Sequence, residues 1–297
     1  MEINGIPIED TFAEAFPMTA ARLVVTAETP AWAVTAGQTT TGYAASVIGC
    51  DAEAGIERTL SPTETPDGRP GISLLLYAFN REALQKAAVN RVGQCILTCP
   101  TTACYNGLDV VKGKSIKIGG NLRFFGDGWQ FSKKLENRRF WRIPVMDGEF
   151  LCEDVFGTIK GVAGGNFLIL GESQAKTLAA AEAAVNAIRA IPGVILPFPG
   201  GIVRSGSKVG SRYKKLRAST NDAYCPTLRG QVQSALPEGA NAVYEIVIDG
   251  LDLAAVGEAT RVGIRASCIP GVIGITAGSY GGNLGPHHLH LHTLLNR

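Results

Sequence analysis

The first half of this sequence is written again, faintly, in the second half. Glu9-Asp10-Thr11-Phe12 returns as Glu153-Asp154-Val155-Phe156. An apolar, strand-like run follows each copy, and an alanine-bearing segment follows that. Ala21 to Glu28 and Pro30 to Ala36 serve in the first copy, Asn166 to Ser173 and Ala175 to Ala190 in the second. A later pair also corresponds: Gly71 to Leu76 with a helix from Arg81, against Val243 to Ile248 with a helix from Leu253. A repeat near half the chain length builds two similar lobes rather than a solenoid of many units. Two lobes create a cleft, and clefts at domain interfaces are where ligands usually bind.

Each lobe reads as two strand-helix-strand units. The first lobe has strand Arg22 to Ala27, helix Pro30 to Thr40 and strand Ala44 to Cys50, then strand Ile72 to Tyr77, helix Arg81 to Arg91 and strand Gln94 to Cys99. The second has strand Phe167 to Gly171, helix Ala175 to Ile191 and a return near Val194 to Phe198. Strand Ala242 to Ile248, helix Leu253 to Ser267 and strand Val272 to Ala277 follow. Alanine and leucine fill Leu178 to Ala190, and Pro192-Gly193 stops that helix. The predicted class is therefore α+β, with two ferredoxin-like (split βαβ) lobes related by an internal pseudo-repeat. Ser115 to Phe150, rich in strand formers and with a turn at Gly126-Asp127-Gly128, reads as inserted β-hairpin material. Pro144 and Gly148 interrupt that pattern, so the lobes are expected at residues 1–147 and 148–297.

Composition excludes several classes. A hydrophobic share of 45% and a charged share of 18% describe a folded chain rather than a disordered one. A net charge of +2 argues against a generally nucleic-acid-binding surface. No run approaches the roughly 20 apolar residues of a membrane helix, and Met1 to Gly5 shows no secretory pattern, so a cytoplasmic protein is expected. Seven cysteines, an odd number without zinc-knuckle spacing, point to reduced thiols acting as small hydrophobes.

The four histidines lie together at His287, His288, His290 and His292. On an extended strand the last three share one face, where three imidazoles could in principle bind zinc. Alternate residues on a strand lie about 7 Å apart, too far to converge easily on one ion, so no metal is expected. Neither glycine-rich segment, Gly161 to Phe167 or Phe198 to Ser211, has the spacing of a P-loop or a dinucleotide fingerprint. Tight turns explain each glycine pair. Ser205, Ser207, Lys208 and Ser211 among those glycines could instead offer donors to an anionic or carbonyl group. Arg204, Lys208, Arg212, Lys214, Lys215 and Arg217 crowd the same stretch and suit a polyanionic small molecule better than RNA, because only Tyr213 supplies an aromatic ring there. The loop Ala218 to Pro226 is a place where specificity often resides. Glu245 stands inside Val243 to Ile248, on one strand face with Val243 and Val247. Burial there disfavours the charged carboxylate, so the group can stay protonated and act as a general acid or hydrogen-bond donor. A solvent-reaching strand end, or an arginine's buried partner, is the plainer explanation.

Several blocks resemble the formylmethanofuran:tetrahydromethanopterin formyltransferases. They are Met1 to Gly5, Ile8 to Phe16, Ala52 to Ile56, Glu64 to Gly71, Phe124 to Gly128, Gly161 to Phe167, Pro197 to Val203, Ser207 to Ser211, Ala218 to Thr227 and Val243 to Ile248. The near balance of 28 basic and 26 acidic residues departs from the acidic archaeal members and resembles the version in methylotrophic bacteria. The resemblance implies a cytoplasmic homotetramer without metal or prosthetic group. Methanofuran and tetrahydromethanopterin would act as one-carbon carriers, with formaldehyde oxidation as the setting and the other subunits of a formyltransferase/hydrolase complex as partners. It implies direct attack of one amine on the formyl carbonyl, with no covalent enzyme intermediate. Glu245 falls on the family's strand glutamate and is the expected catalytic residue. Gly164, Gly165 and Asn166, or Gly200 and Gly201, are candidates for oxyanion donors. Ser207 and Lys208 would hold acidic carrier tails, and Ser219, Thr220, Asn221, Asp222 and Tyr224 would set specificity. The competing expectations are an inert scaffold subunit of a one-carbon complex and a histidine-dependent metallohydrolase.

Overall fold

The structure, a computed structural model, describes residues 1–282 and 284–296. Two compact units are present: Met18–Gly161, and Met1–Pro17 together with Val162–Arg297. The expected division at 147/148 rests on the break at Pro144 and Gly148, whereas these units follow packing, which groups Met1–Pro17 with the second copy.

The first unit contains β1 (Phe12–Thr26, from Met18 onward), α1 (Pro30–Thr41), β2 (Glu53–Leu60), β3 (Gly71–Ala78), α2 (Arg81–Arg91) and β4 (Ala103–Asn106). Every pairing among these strands is antiparallel, in the order β2-β3-β1-β4. A meander of β5 (Phe131–Leu135), β6 (Arg138–Val145) and β7 (Gly148–Glu153) extends the sheet, with β7 parallel to β4. Alternation puts Leu23, Val25, Ile72, Leu74 and Leu76 on one face, buried with Ala33 and Ala36 of α1 and Leu84 and Ala88 of α2.

The second unit repeats the plan with β8 (Ile159–Gly171, from Val162 onward), α3 (Gln174–Ile188), β9 (Val194–Ile195), β10 (Ala242–Gly250), α4 (Leu253–Ser267) and β11 (Val272–Thr276). The order β9-β10-β8-β11 matches the first unit strand for strand. Both are therefore ferredoxin-like. Phe167, Ile169, Ile246 and Ile248 face the helices, against Ala180, Ala184 and Ile188 of α3 and Val256, Ala259 and Ile264 of α4. The long excursion between β9 and β10 covers the opposite face, where Tyr224, Leu236 and Ala240 pack with Leu168, Leu170 and Val243.

Local chemistry sets the helix starts. Asn80 Oδ1 accepts from Ala83 N–H at 2.9 Å and Asp252 Oδ1 from Ala255 N–H at 2.8 Å, each satisfying an amide that the first turn leaves open. Helices α2 and α4 begin where the sequence predicts, and α4 also ends there.

Two expected strands are absent. Ala44 to Cys50 forms turns, and the real edge strand is β2, hidden in sequence because Glu53 and Glu57 point inward where an apolar residue is the norm. Gln94 to Cys99 continues α2 as a π-helical turn, Val92–Ile96, and the strand forms only beyond Pro100. Short apolar runs of this kind fit helix and strand equally well. The insertion is not all hairpin either, since Gly119–Leu122 makes one helical turn.

The expected histidine strand stops early. Strand β12 (His287–His290) pairs with Phe12 to Ala15, and the chain then enters helix α5 (Leu291–Leu295). His288 and His290 lay their rings on Phe12, at 4.6 and 5.2 Å between centroids. His292 leaves that face, its Nε2 lying 2.8 Å from Ile8 O. Cys104, Cys152 and Cys268 are buried and the other four thiols half-buried; all seven are free, and burial pushes Cys268 up to about 11.

Candidate functional site

The sheet face opposite α3 and α4 carries the polar residues. On β10 it presents Val243, Glu245, Val247 and Asp249; on β8 it presents Asn166 and Leu168. Glu245 pairs with Leu168 on one side. On the other it exchanges backbone hydrogen bonds with Val203, Val203 N–H to Glu245 O at 2.8 Å and the reverse at 3.1 Å. Only 5% of the Glu245 surface is exposed. Burial holds its carboxyl above the usual carboxylate range, and a hydrogen bond from Asn166 partly opposes this. Asn166 Nδ2 donates to Glu245 Oε1 at 2.6 Å, and Asn166 Oδ1 accepts from Gly278 N–H at 3.0 Å.

A cavity of about 390 Å³ opens over Glu245, walled by Leu168 and Val203 and by Thr220, Asn221 and Tyr224 of the covering loop. A larger one of about 820 Å³ lies beside it and includes Gly200, Arg189 and Phe198. Val203, Arg204, Ser205 and Tyr244 border both. Burial also keeps the Tyr224 phenol above its ordinary value.

Other expected site residues are placed differently. Gly164 sits in a bulge of β8 at φ +83°, and its N–H donates to Asp249 Oδ1 at 3.0 Å. Gly165 pairs with Ile248 and leaves no room for a side chain, since a Cβ there would come within 2.8 Å of Val256 Cγ1. Gly201 N–H donates to Phe198 O at 2.8 Å, closing a turn in which Gly200 has φ +66°. Lys208 Nζ donates to Asp222 Oδ1 at 2.7 Å, which pulls that carboxyl below its usual range. Lys208 also pairs with Ser219 in a short ladder, where Ser219 Oγ donates to Gly210 O at 2.8 Å. Ser207, half-buried, precedes it.

The structure thus brings Glu245, Thr220, Asn221 and Tyr224 together around one cavity, with Asn166 hydrogen-bonded to Glu245 outside its lining and Gly200 on the adjoining cavity. Val203, Tyr244 and Cys225 also line the cavity over Glu245, and sequence does not single them out. Tyr244 and Val203 lie inside a strand and a glycine-rich run, but nothing in one sequence marks which apolar residues wall a cavity.

The first unit has a comparable polar cluster. Arg22 donates to Glu57 through Nη2 at 2.6 Å and Nε at 2.8 Å, and Ser73 Oγ donates to Glu57 Oε2 at 2.6 Å. A cavity of about 360 Å³ in this unit is bordered by Asp67, Arg69 and Tyr105. Burial works against the Asp67 charge, but hydrogen bonds from Thr26, Tyr105 and Arg69 outweigh it and hold the carboxyl below its usual range.

Comparison with known proteins gives the same architecture a class. The family model described as "Formylmethanofuran-tetrahydromethanopterin formyltransferase" matches residues 1–145, and one described as "FTR, proximal lobe" matches residues 148–294. A formylmethanofuran--tetrahydromethanopterin formyltransferase of Methylococcus capsulatus is 57% identical, over 99% of this chain and 100% of its own. One component of the formyltransferase/hydrolase complex of Methylorubrum extorquens is 56% identical, over 99% and 97%. The crystal structure of that complex with methylofuran superposes at a TM-score of 0.96, with 55% identity and coverage of 99% and 98%. The Methanosarcina barkeri formyltransferase superposes at 0.93, with 50% identity and coverage of 99% and 100%. The two-lobed fold is that of a formyltransferase. The chain belongs to the formylmethanofuran-tetrahydromethanopterin formyltransferase family.

Proposed function

We propose that this protein moves a formyl group between the ring amine of tetrahydromethanopterin and the primary amine of methanofuran in one-carbon metabolism. The observation that carries the mechanism is Glu245, a nearly buried carboxyl with a raised pKa at the floor of a cavity. Acyl transfer between two amines needs alignment, a donor for the oxyanion and a proton carrier. The attacking nitrogen forms a bond to the formyl carbon, and the carbonyl π pair moves onto oxygen. Protonated Glu245 donates to that oxygen. As the adduct collapses, the attacking nitrogen gives up a proton and the departing nitrogen takes one, with Glu245 as the relay. No step of this sequence requires a covalent intermediate or a prosthetic group. Among the described residues, no group of three His, Cys, Asp or Glu side chains is placed to hold a metal ion.

Thr220, Asn221 and Tyr224 border the reacting cavity and would select its occupant. Lys208, held by Asp222 and next to Ser207 and Ser219, would meet the acidic carrier tails together with its basic neighbours. The main-chain donors nearest an oxyanion would come from Gly200, since the Gly164 and Gly201 amides already have partners. The likeness to one component of the Methylorubrum formyltransferase/hydrolase complex supports a place beside hydrolase subunits; a homotetramer, a functional division near residue 147, a cytoplasmic setting and a role in formaldehyde oxidation belong to the same proposal. No helix among the described residues is long and apolar enough to cross a membrane.

The test is a stopped assay of the purified chain with formyl-tetrahydromethanopterin and methanofuran, with and without chelator. Formylmethanofuran is expected in both samples. No transfer would leave an inert scaffold subunit, and transfer lost with chelator would point to metal chemistry.

A further inference from the structure

The proposed transfer needs a proton on Glu245 and says nothing of which oxygen carries it. Hydrogen-bond geometry decides that. The Gly278 amide can only donate, and it donates to Asn166 Oδ1 at 3.0 Å. This fixes the orientation of the Asn166 amide, which an isolated side chain would leave ambiguous. Its other end is therefore a donor, and it lies 2.6 Å from Glu245 Oε1. Oε1 must accept. A proton on Glu245 then sits on Oε2, the oxygen with no partner among the described residues, in a side chain that lines the cavity.

We propose that Asn166 is a positioning residue for formyl transfer, holding Glu245 Oε1 as a permanent acceptor so that the Oε2 proton is presented to the cavity. The inference rests on Glu245 as proton carrier. When Oε2–H releases its proton, the bonding pair stays on Glu245 and the group becomes a carboxylate. The oxyanion accepts the Oε2–H hydrogen bond, the proton passes to the departing amine as the C–N bond breaks and the carbonyl re-forms, and the attacking amine's proton restores Glu245. The Asn166 N–H to Oε1 bond is neutral before the step and charge-assisted during it, and a charge-assisted bond is roughly twice as strong. Asn166 thus favours the transition state over the ground state, which is the condition for raising kcat. Its own surface is 2% exposed, so water does not substitute readily for the amide. The charged and titratable groups facing Glu245 are Arg204, Tyr224 and Cys225 across the cavity, with Asp249 further along the same face of β10.

The experiment compares full-length Asn166→Leu, Asn166→Asp and Glu245→Gln with the parent for kcat, both KM values, pH dependence of kcat and thermal melting. Asn166→Leu removes both hydrogen bonds. Asn166→Asp is isosteric, keeps an acceptor for Gly278, and serves if the leucine variant does not fold. In both, kcat is expected to fall at least about tenfold, the scale of a lost hydrogen bond to a charged group. KM for either carrier should change little. The alkaline decline of kcat should move to higher pH, because the bond that lowers the Glu245 pKa is gone; a merely structural role would leave that limb in place. Parent-like kcat and an unmoved limb in a folded Asn166 variant, with Glu245→Gln inactive, would overturn the positioning role alone. Full turnover by Glu245→Gln would overturn the mechanism on which it rests.

Discussion

Ser73 stands in the first repeat where Glu245 stands in the second. Ser73 pairs with Val24 as Glu245 pairs with Leu168, and Arg22 lies opposite Leu75 as Asn166 lies opposite Val247. The two copies therefore carry polar pairs at one register position with opposite outcomes. In the first, Glu57 accepts from both Arg22 and Ser73 and closes the position as an ion pair. In the second, an amide stands in place of the guanidinium and a carboxyl in place of the hydroxyl, and a cavity opens over the carboxyl. The two repeats share one framework, and the residues at two register positions on one sheet face give each its own chemistry.

Removing Arg22 should therefore cost stability and not the chemistry at Glu245. Arg22→Met leaves Glu57 without its ion-pair partner, and breaking a buried pair costs about 3–5 kcal/mol. The Arg22 side chain is 25% exposed, so solvent screens part of this and about 2 kcal/mol is expected. Urea unfolding of the variant beside a kcat measurement checks both halves.

Gly164→Ala should destabilise the second repeat by about 2 kcal/mol, the scale of a non-glycine residue held at positive φ. The added Cβ would also meet Phe16 Cε1 at 2.6 Å. The bulge that turns the Gly164 amide toward Asp249 would be lost with it. Thermal denaturation reads the loss.

Lys208→Met tests the basic stretch as a carrier-tail site. KM for the carrier with the more acidic tail should rise about tenfold with kcat nearly unchanged, the pattern of lost uniform binding. The parent KM should also climb with salt, and the variant's less steeply, as surface electrostatics requires.

Glu245 should also leave a mark on stability against pH. Its folded pKa is raised above the unfolded value, about 4.3 for glutamate. The folded state then binds the proton more tightly than the unfolded state. That contribution is complete below the unfolded pKa and disappears as pH rises through the folded one. Glu245→Gln, which never ionises, should escape the loss. Melting temperatures of parent and variant should therefore diverge in the variant's favour on the alkaline side and converge in acid.

The sequence displays best what depends on neighbours along the chain. The starts of helices α2 and α4 are legible because each is set by local sequence, with Asn80 and Asp252 at the N-caps. The repeat discloses two lobes, and Glu245 stands out as one carboxylate in an apolar strand. Strand β2 is obscured because Glu53 and Glu57 point inward, and Glu57 satisfies its charge through Arg22 and Ser73, both distant in sequence. The role of Asn166 is illegible for the same reason. Its neighbours Gly164 and Gly165 suggest main-chain donors to a ligand, while its side chain answers to Glu245 and Gly278, which only the fold brings beside it. Spacing likewise does not show that the chain turns into α5 and takes His292 off the histidine face.

The most direct measurement is kcat for formyl transfer by Glu245→Gln as a function of pH. Glutamine keeps a donor at the Oε2 position but cannot relay a proton. The account predicts a fall of about 10² or more, the usual contribution of general acid–base catalysis, and loss of the alkaline decline. Full turnover with the parent's pH dependence would contradict it.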